Sequence, residues 1–233
     1  MSQGVCVVAG VGPGNGASFS HKFASAGYTV VMLARNKHYL DELQSTTPGS
    51  HTYPCDVSDP DAVREVFARI RADIAPVDVL IYNAGAGEWS SVEDTTIDGF
   101  ESSWRTNTLG LLVASQQVIP DMKKAKLGSI IVIGATASLR GGANTTGFAS
   151  AKAAQRSLSQ SLARGLGPEG IHVSYVIIDG VIDLKRTRAR MPDKPDDFFL
   201  DPNEIAECVF QLTQQARSAW TFELDLRPHG EKW

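Results

Sequence analysis

The chain has 233 residues, of which 42% are hydrophobic and 21% are charged, as expected for one globular domain over residues 1–233. A chain of this length can bury roughly 70–75% of its unfolded surface, which suffices for a single large core. Its net charge of −4 argues against nucleic acid or an acidic membrane surface as a partner.

Short β-branched runs alternate with helical stretches along the whole chain. The runs that predict strands are Gly4–Ala9, Thr29–Ala34, His51–Cys55, Asp78–Tyr82, Ser129–Gly134, His172–Ile178 and Trp220–Leu224. They are nearly continuous apolar segments, which indicates burial on both faces, as in a parallel sheet covered by helices. Right-handed crossovers then predict an α/β Rossmann-type fold: one doubly wound, seven-stranded, mostly parallel sheet between helices.

Two of the intervening helices carry recognisable start signals. Asp61–Ile74 has apolar residues at helical spacing, with Ser58 or Asp59 as the predicted cap and Pro60 in the first turn. Asp201 similarly precedes a helix that is expected to run to about residue 214.

One stretch, Asp183–Leu200, lacks a regular pattern. Its first half is basic (Lys185, Arg186, Arg188, Arg190) and its second half is acidic (Asp193, Asp196, Asp197). Long loops of this kind are often lids over a substrate, and a solvated surface loop is the equally open alternative.

The three cysteines, Cys6, Cys55 and Cys208, are scattered, which favours free thiols over a disulfide or a metal site. No apolar run approaches the roughly 18–20 residues of a membrane span. The N-terminus enters a strand without the features of a signal peptide. These observations predict a cytoplasmic protein with no membrane partner and no metal.

The first strand is followed by a glycine-rich turn, Ala9-Gly-Val-Gly-Pro-Gly-Asn-Gly16. Glycines allow a backbone to turn tightly beside a pyrophosphate, and the amides at the start of the next helix attract it. The position of the turn, between strand and helix, predicts dinucleotide binding by Gly10, Gly14, Asn15 and Gly16.

The spacing of these glycines resembles the T-G-x-x-x-G-x-G turn of short-chain dehydrogenases/reductases, with Ala9 in place of Thr. The resemblance extends from about residue 4 to residue 230. It implies adenine contacts at Asp56 and Val57, and contacts to the riboses and the nicotinamide from Asn83, Ala84, Gly85, Lys152, Gly180 and Ile182. Asn107 falls where the family keeps an Asn beside the active site.

The end of the second strand indicates the choice of cofactor. NAD-specific proteins usually place an acid there, whereas this chain reads Ala34-Arg35-Asn36. Without an acid a 2′-phosphate is not repelled, and Arg35 can contact it, so NADP(H) is favoured over NAD(H). A solvated surface Arg is the alternative interpretation.

Two catalytic hydroxyls of the family are absent. The resemblance implies a tetrad of Asn, Ser, Tyr and Lys, which here reads Asn107, Ala135, Phe148 and Lys152. Thr136 and Ser150 are close in sequence but are expected to point elsewhere. General acid–base catalysis contributes about 10²–10⁴-fold, so reduction of ordinary ketones should be weak. Lys152 and Asn107 remain candidates for a water-assisted proton path.

A substrate that already carries its proton, such as an iminium ion, would need neither missing hydroxyl. Asp179, where the family has Pro, could pair with such a cation or could simply cap a loop. Trp89 is expected either to line the substrate cleft or to pack under a loop, and Phe148 makes the cleft more apolar.

Together these features predict an oxidoreductase that transfers hydride to or from a small carbonyl, alcohol or imine-type substrate. The alternative is a catalytically silent dinucleotide sensor or scaffold, favoured by Ala135 and Phe148. Methyl transfer is disfavoured because Asn83 and Lys152 would have no role in it. The tail from Phe222 to Trp233 resembles tails that form subunit contacts, so a homodimer or homotetramer is expected.

Overall fold

A computed structural model describes residues 3–230. Seven strands form one sheet in the order β3-β2-β1-β4-β5-β6-β9, and every neighbouring pair is parallel. The strands are β1 (Val5–Ala9), β2 (Thr29–Ala34), β3 (His51–Pro54), β4 (Val79–Tyr82), β5 (Gly128–Ala135), β6 (Ile171–Ile178) and β9 (Glu223–Leu226). The predicted seven-stranded Rossmann-type sheet is confirmed.

Helices cover both faces of this sheet. They are α1 (Asn15–Ser25), α2 (Lys37–Ser45), α3 (Pro60–Asp73), α4 (Ile97–Trp104), α5 (Gly110–Ala125), α6 (Thr146–Leu166) and α8 (Pro202–Thr213). Successive residues of a strand enter opposite cores: Val7 packs in one cluster and Val8 in the other, both with no exposed surface. This double burial explains why the strands read as continuous apolar runs.

The predicted helix starts are confirmed. The Asp59 carboxylate accepts hydrogen bonds from the backbone N–H groups of Asp61 and Ala62, at 2.9 and 3.3 Å, with Pro60 in the first turn. At α8 the Asp201 carboxylate accepts from Asn203 N–H at 2.8 Å. Both caps satisfy amides that have no partner within the helix.

The last strand lies further along the chain than predicted. It begins at Glu223 rather than at Trp220, because Trp220 stacks on His172 with ring centres 4.8 Å apart and donates its indole N–H to Gln215 O. Arg156 of α6 holds β9 through two bonds to the Glu223 carboxylate, at 2.6 and 3.0 Å. Residues 231–233 of the predicted tail lie outside the described residues.

The segment 183–200 is more ordered than predicted. It contains a short helix, α7 (Lys185–Arg190), and a strand, β8 (Phe199–Leu200), which pairs in parallel with β7 (Val181–Ile182) as a separate small sheet. The prediction of an irregular loop was wrong because ion pairs between side chains of the segment organise it, and such pairing has no periodic signature. Arg188 holds both Asp183 and Asp196.

Candidate functional site

The glycine turn packs so tightly against the chain that follows β4 that only glycine fits at its first position. Gly10 has φ +93°, and a Cβ there would overlap the backbone of Ala84. Asn83 fastens the same point, because its Nδ2 donates to Gly10 O at 2.7 Å. At the entry to α1, Gly14 has φ +103°, and a Cβ on Gly16 would lie 2.7 Å from Val11 Cα. The turn therefore brings bare backbone to the sheet edge.

A cleft of about 1050 Å³ opens above this turn, at the carboxyl ends of β1, β2 and β4. It gathers most of the sequence-predicted cofactor residues: Gly10, Gly14, Asn15, Gly16, Arg35, Asp56, Val57, Asn83, Ala84, Gly85 and Ile182. Lys152 and Gly180 are not among its lining residues. The position is the one where open α/β sheets bind ligands, outside the carboxyl ends of the strands.

Two residues of opposite charge line the cleft near enough to interact electrostatically. Arg35 and Asp56 are both exposed there. Burial acts to raise the pKa of the Asp56 carboxyl, but hydrogen bonds from Ser58 and the charge of Arg35 prevail, so its pKa is lowered. Asp56 is thus an ionised acceptor in the field of an exposed cation.

A buried acceptor fits a ligand in this cleft. Among the described residues, Asn15 Oδ1 lies buried without a hydrogen-bond partner at the first residue of α1. A buried polar atom costs free energy unless a donor satisfies it. The Asn15 oxygen can accept a hydrogen bond from a donor on a ligand, such as a ribose hydroxyl, while the bare backbone at Gly10 and Gly14 suits a pyrophosphate. The two features together fit a dinucleotide.

Asn107 lies in a π-helical turn, Arg105–Leu109, that joins α4 to α5. Its Nδ2 donates to Ala86 O at 2.5 Å and to Ser103 O at 2.7 Å, while its Oδ1 is a second buried acceptor without a partner in the described chain. Single π-helical turns inside α-helices are frequent at functional sites.

Lys152 is buried in a network that the sequence did not predict. Its Nζ donates to Ile133 O and to Gln155 Oε1, both at 3.0 Å, and Gln155 Nε2 donates to Asn107 O at 2.8 Å. Burial lowers the pKa of the Lys152 ammonium to about 7. The connection between Lys152 and Asn107 is therefore a carboxamide, which passes protons poorly compared with water.

Ala135 and Phe148 leave the opposite side of this lysine apolar. The Phe148 ring centre lies 5.9 Å from Lys152 Nζ, and the ring stacks on Trp89 at 5.1 Å between centres. Trp89 itself is 68% exposed, so it forms an open wall beside Phe148 rather than packing under a loop.

The neighbouring hydroxyls are engaged elsewhere. Thr136 Oγ1 donates to Asp179 Oδ1 at 2.5 Å, and exposed Ser150 donates to Thr146 O. Asp179 is half-buried and has Arg227 Nη1 at 3.8 Å from its other oxygen. The Asp179 carboxylate thus already accepts a hydrogen bond from Thr136 and lies near the Arg227 guanidinium.

Sequence reasoning missed Gln155 and the two lining residues Lys185 and Arg186. For Gln155 there was a signal: with Lys152 and Ser159 it places polar side chains on the buried stripe of α6. The basic half of 183–200 was noted, but nothing in the sequence places Lys185 and Arg186 at the cleft.

Two kinds of feature are absent from residues 3–230. None of the helices there is long and apolar enough to cross a membrane. Nor do three or more His, Cys, Asp or Glu side chains in that range cluster in a way that could hold a metal ion.

Comparison with known proteins supplies relatives of the same size. The family described as short chain dehydrogenase matches residues 4–194. An uncharacterized oxidoreductase of Staphylococcus aureus (strain N315) is 27% identical over 230 residues, 98% of either chain. A short-chain dehydrogenase structure from Rhodopseudomonas palustris is 34% identical with a TM-score of 0.83, covering 97% of this chain and 98% of its own. A metagenomic short-chain oxidoreductase in complex with NADP is 26% identical with a TM-score of 0.84, covering 99% of both chains.

Proposed function

The chain belongs to the short-chain dehydrogenase family of NAD(P)-dependent oxidoreductases, and from this membership we propose that it binds NADP(H) and oxidises or reduces a small substrate. The observation that carries the proposal is the single cleft in which the glycine turn, Arg35 and the Asn83–Gly85 stretch meet. When bound there, the nicotinamide supplies or accepts the hydride of the reaction.

Different residues of the cleft would bind different parts of the dinucleotide. Gly10, Gly14, Asn15 and Gly16 would hold the pyrophosphate through backbone amides at the start of α1. Asp56 and Val57 would hold the adenine end. Asn83, Ala84, Gly85 and Ile182 would hold the ribose and nicotinamide end, to which the family resemblance also assigns Lys152 and Gly180.

Preference for NADP(H) over NAD(H) rests on the end of β2. Arg35 is exposed at the cleft, and no acid stands at that strand end to repel a 2′-phosphate. The guanidinium can make a charge-assisted bond to that phosphate. The metagenomic relative was solved in complex with NADP, which agrees with this preference.

The residues at the catalytic end favour a substrate that does not need a strong acid from the protein. Phe148 and Ala135 carry no hydroxyl, and Lys152 Nζ is turned toward Ile133 O and Gln155. An imine-type substrate that arrives already protonated needs no acid from the protein, whereas a neutral ketone does. The Trp89–Phe148 wall suits a flat or apolar group on such a substrate.

A homo-oligomer is also proposed, on the basis of α4. This helix leaves Ile97, Phe100 and Trp104 exposed at spacings of three and four residues, which is one apolar stripe on one face. Pairing of that stripe with a second copy would bury it. Sedimentation of the wild type and of Ile97→Asp checks this: the variant should shift toward a mass near 25.1 kDa.

A cytoplasmic location is proposed from the thiols. Cys6 and Cys55 are buried and unpaired with other cysteines, and burial raises the pKa of Cys55 to about 11, so its thiol is protonated. Fractionation of cells that express the chain checks this location.

Calorimetric titration of the purified chain with NADPH and with NADH tests the cofactor assignment. Micromolar NADPH binding with weaker NADH binding supports it, and a panel of cyclic imines beside ketones then tests the substrate class. A chain that binds NADPH yet turns over neither class would instead be a silent sensor. Binding of neither cofactor would remove the proposed function.

A further inference from the structure

Helix α7 places two basic side chains at the cofactor cleft that have no partner in the described chain. Lys185 and Arg186 both line the cleft together with the glycine turn, and both are exposed. Within residues 3–230 neither side chain makes a hydrogen bond or an ion pair. Two such cations side by side repel each other, so an anion between them would relieve a cost that the protein alone does not offset.

A third basic residue of the same helix fixes the helix in place. Arg188 donates to both oxygens of Asp183, at 2.7 and 2.8 Å, and to Asp196 at 2.5 Å. Its guanidinium also lies 4.2 Å from the Phe199 ring centre. Since Asp183 follows β7 and Phe199 begins β8, Arg188 ties the two ends of the segment 183–200 together.

The start of α7 is held against the glycine turn itself. Leu184 reaches so close to Gly14 that a Cβ on that glycine would overlap the leucine side chain. Leu184 N–H also donates to Thr187 Oγ1 at 2.9 Å, which closes the first turn of α7. Lys185 and Arg186 follow directly, and both line the same cleft as the glycine turn.

The wall of the cleft that carries Lys185 and Arg186 has a surplus of positive charge. Asp183 lines the cleft too, but its carboxylate is occupied by Arg188, which lowers its pKa. Asp56 lies at the other end, beside Arg35. In a chain of net charge −4, a surplus of positive charge confined to one wall of a cleft indicates an anionic ligand.

We propose that Lys185 and Arg186 bind the pyrophosphate of the dinucleotide from the side of α7, while the glycine turn binds it from the side of α1. This inference rests on the proposed dinucleotide function. It assigns the segment 183–200 a binding role, beside the lid role that the sequence left open. Because the pyrophosphate is common to both nicotinamide cofactors, the contribution of Lys185 and Arg186 should be the same for NADPH and NADH, unlike that of Arg35.

The test compares three full-length proteins by calorimetric titration with NADPH and, separately, with NADH: the wild type, the double variant Lys185→Gln/Arg186→Gln, and Arg190→Gln. Arg190 is the matched control, because it is an exposed cation of the same helix that does not line the cleft. Losing two charged contacts should weaken both cofactors about tenfold or more. The control should stay within about twofold.

Each outcome decides something. A double variant that binds both cofactors as tightly as the wild type overturns the inference and leaves the proposed function standing. A loss confined to NADPH also overturns it, since the pair would then contact the 2′-phosphate. A wild type that binds neither cofactor removes the proposed function and this inference with it. Unfolding curves of the variants should match the wild type, because both side chains are exposed.

Discussion

The two halves of the site differ in how much polar chemistry they offer. Within residues 3–230, the cofactor half has bare backbone, a buried Asn15 oxygen without a hydrogen-bond partner, and the unpaired cations Lys185 and Arg186, all among the residues that line the cleft. In the catalytic half the polar groups face inward: buried Lys152 donates to Gln155, and its Nζ lies 5.9 Å from the centre of the apolar Phe148 ring. The site therefore offers more groups for binding the hydride-carrying cofactor than for transferring protons. Cofactor binding and proton transfer can thus be tested separately.

The largest expected effect is a gain in the catalytic half. Ala135→Ser with Phe148→Tyr restores both family hydroxyls and should raise the rate of ketone reduction by about 10²–10⁴-fold, the usual contribution of general acid–base catalysis. Steady-state rates with NADPH and a ketone panel measure it. Ala135→Ser with Phe148→Leu is the control and should show little gain. An inactive double variant that still binds NADPH would mean that the cleft geometry, and not only the hydroxyls, has changed.

The next effect would damage the cofactor half. Gly10→Ala forces a side chain into positive φ and onto the Ala84 backbone, which should cost about 3 kcal/mol or more of stability and NADPH affinity combined. Gly12→Ala is the matched control, since a Cβ there meets nothing within 4 Å. Chemical unfolding and calorimetric titration measure both terms. Equal behaviour of the two variants would show that the turn is not the rigid cradle described above.

A smaller effect is the pH dependence of stability that the buried Lys152 of the catalytic half should cause. The pKa of Lys152 is about 7 when folded and returns to its usual higher value on unfolding. Between those values the unfolded chain binds more protons, so stability should rise with pH above about 7, by up to about 1.4 kcal/mol per pH unit. Lys152→Met should flatten this rise, whereas exposed Lys124→Met should not. Urea unfolding at several pH values from 7 to 10 measures it, and identical slopes in all three proteins would contradict the assigned pKa.

The smallest effect lies at the adenine end. Arg35→Ala should lower NADPH affinity about tenfold and leave NADH affinity nearly unchanged, since one charge-assisted bond is removed. Lys37→Ala, an exposed cation two residues on whose ammonium pairs with Asp41, is the control. An unchanged ratio of the two affinities would identify Arg35 as a surface residue without a role in cofactor choice.

The sequence predicted the fold because the signals for it are local and repeated. Continuous apolar runs, the caps at Asp59 and Asp201 and the glycine turn each act within a few residues. The start of β9 was misplaced because Trp220 stacks on His172, a partner from a much earlier part of the chain. Long-range stacking of that kind leaves no periodic trace in the sequence.

The site was predictable where it is made of backbone and less so where it is made of side-chain networks. Gly10 could be placed from its position between a strand and a helix and Asn83 from the family resemblance, and the structure brings the two together. Gln155 could not be assigned to Lys152, since its contact depends on side-chain rotamers deep in α6. Likewise the positions of Lys185 and Arg186 depend on how Arg188 folds the segment, which composition alone does not specify.

The π-helical turn at Arg105–Leu109 has a consequence for how this region tolerates change. It contributes one residue more than an α-helical turn would, between α4 and α5. Deleting that one residue would rotate α4 by about 100° about the helix axis relative to α5. The exposed stripe of Ile97, Phe100 and Trp104 and the inward side chain of Asn107 would then fall out of phase. Length in this short stretch should therefore be under stronger selection than the identity of its exposed side chains.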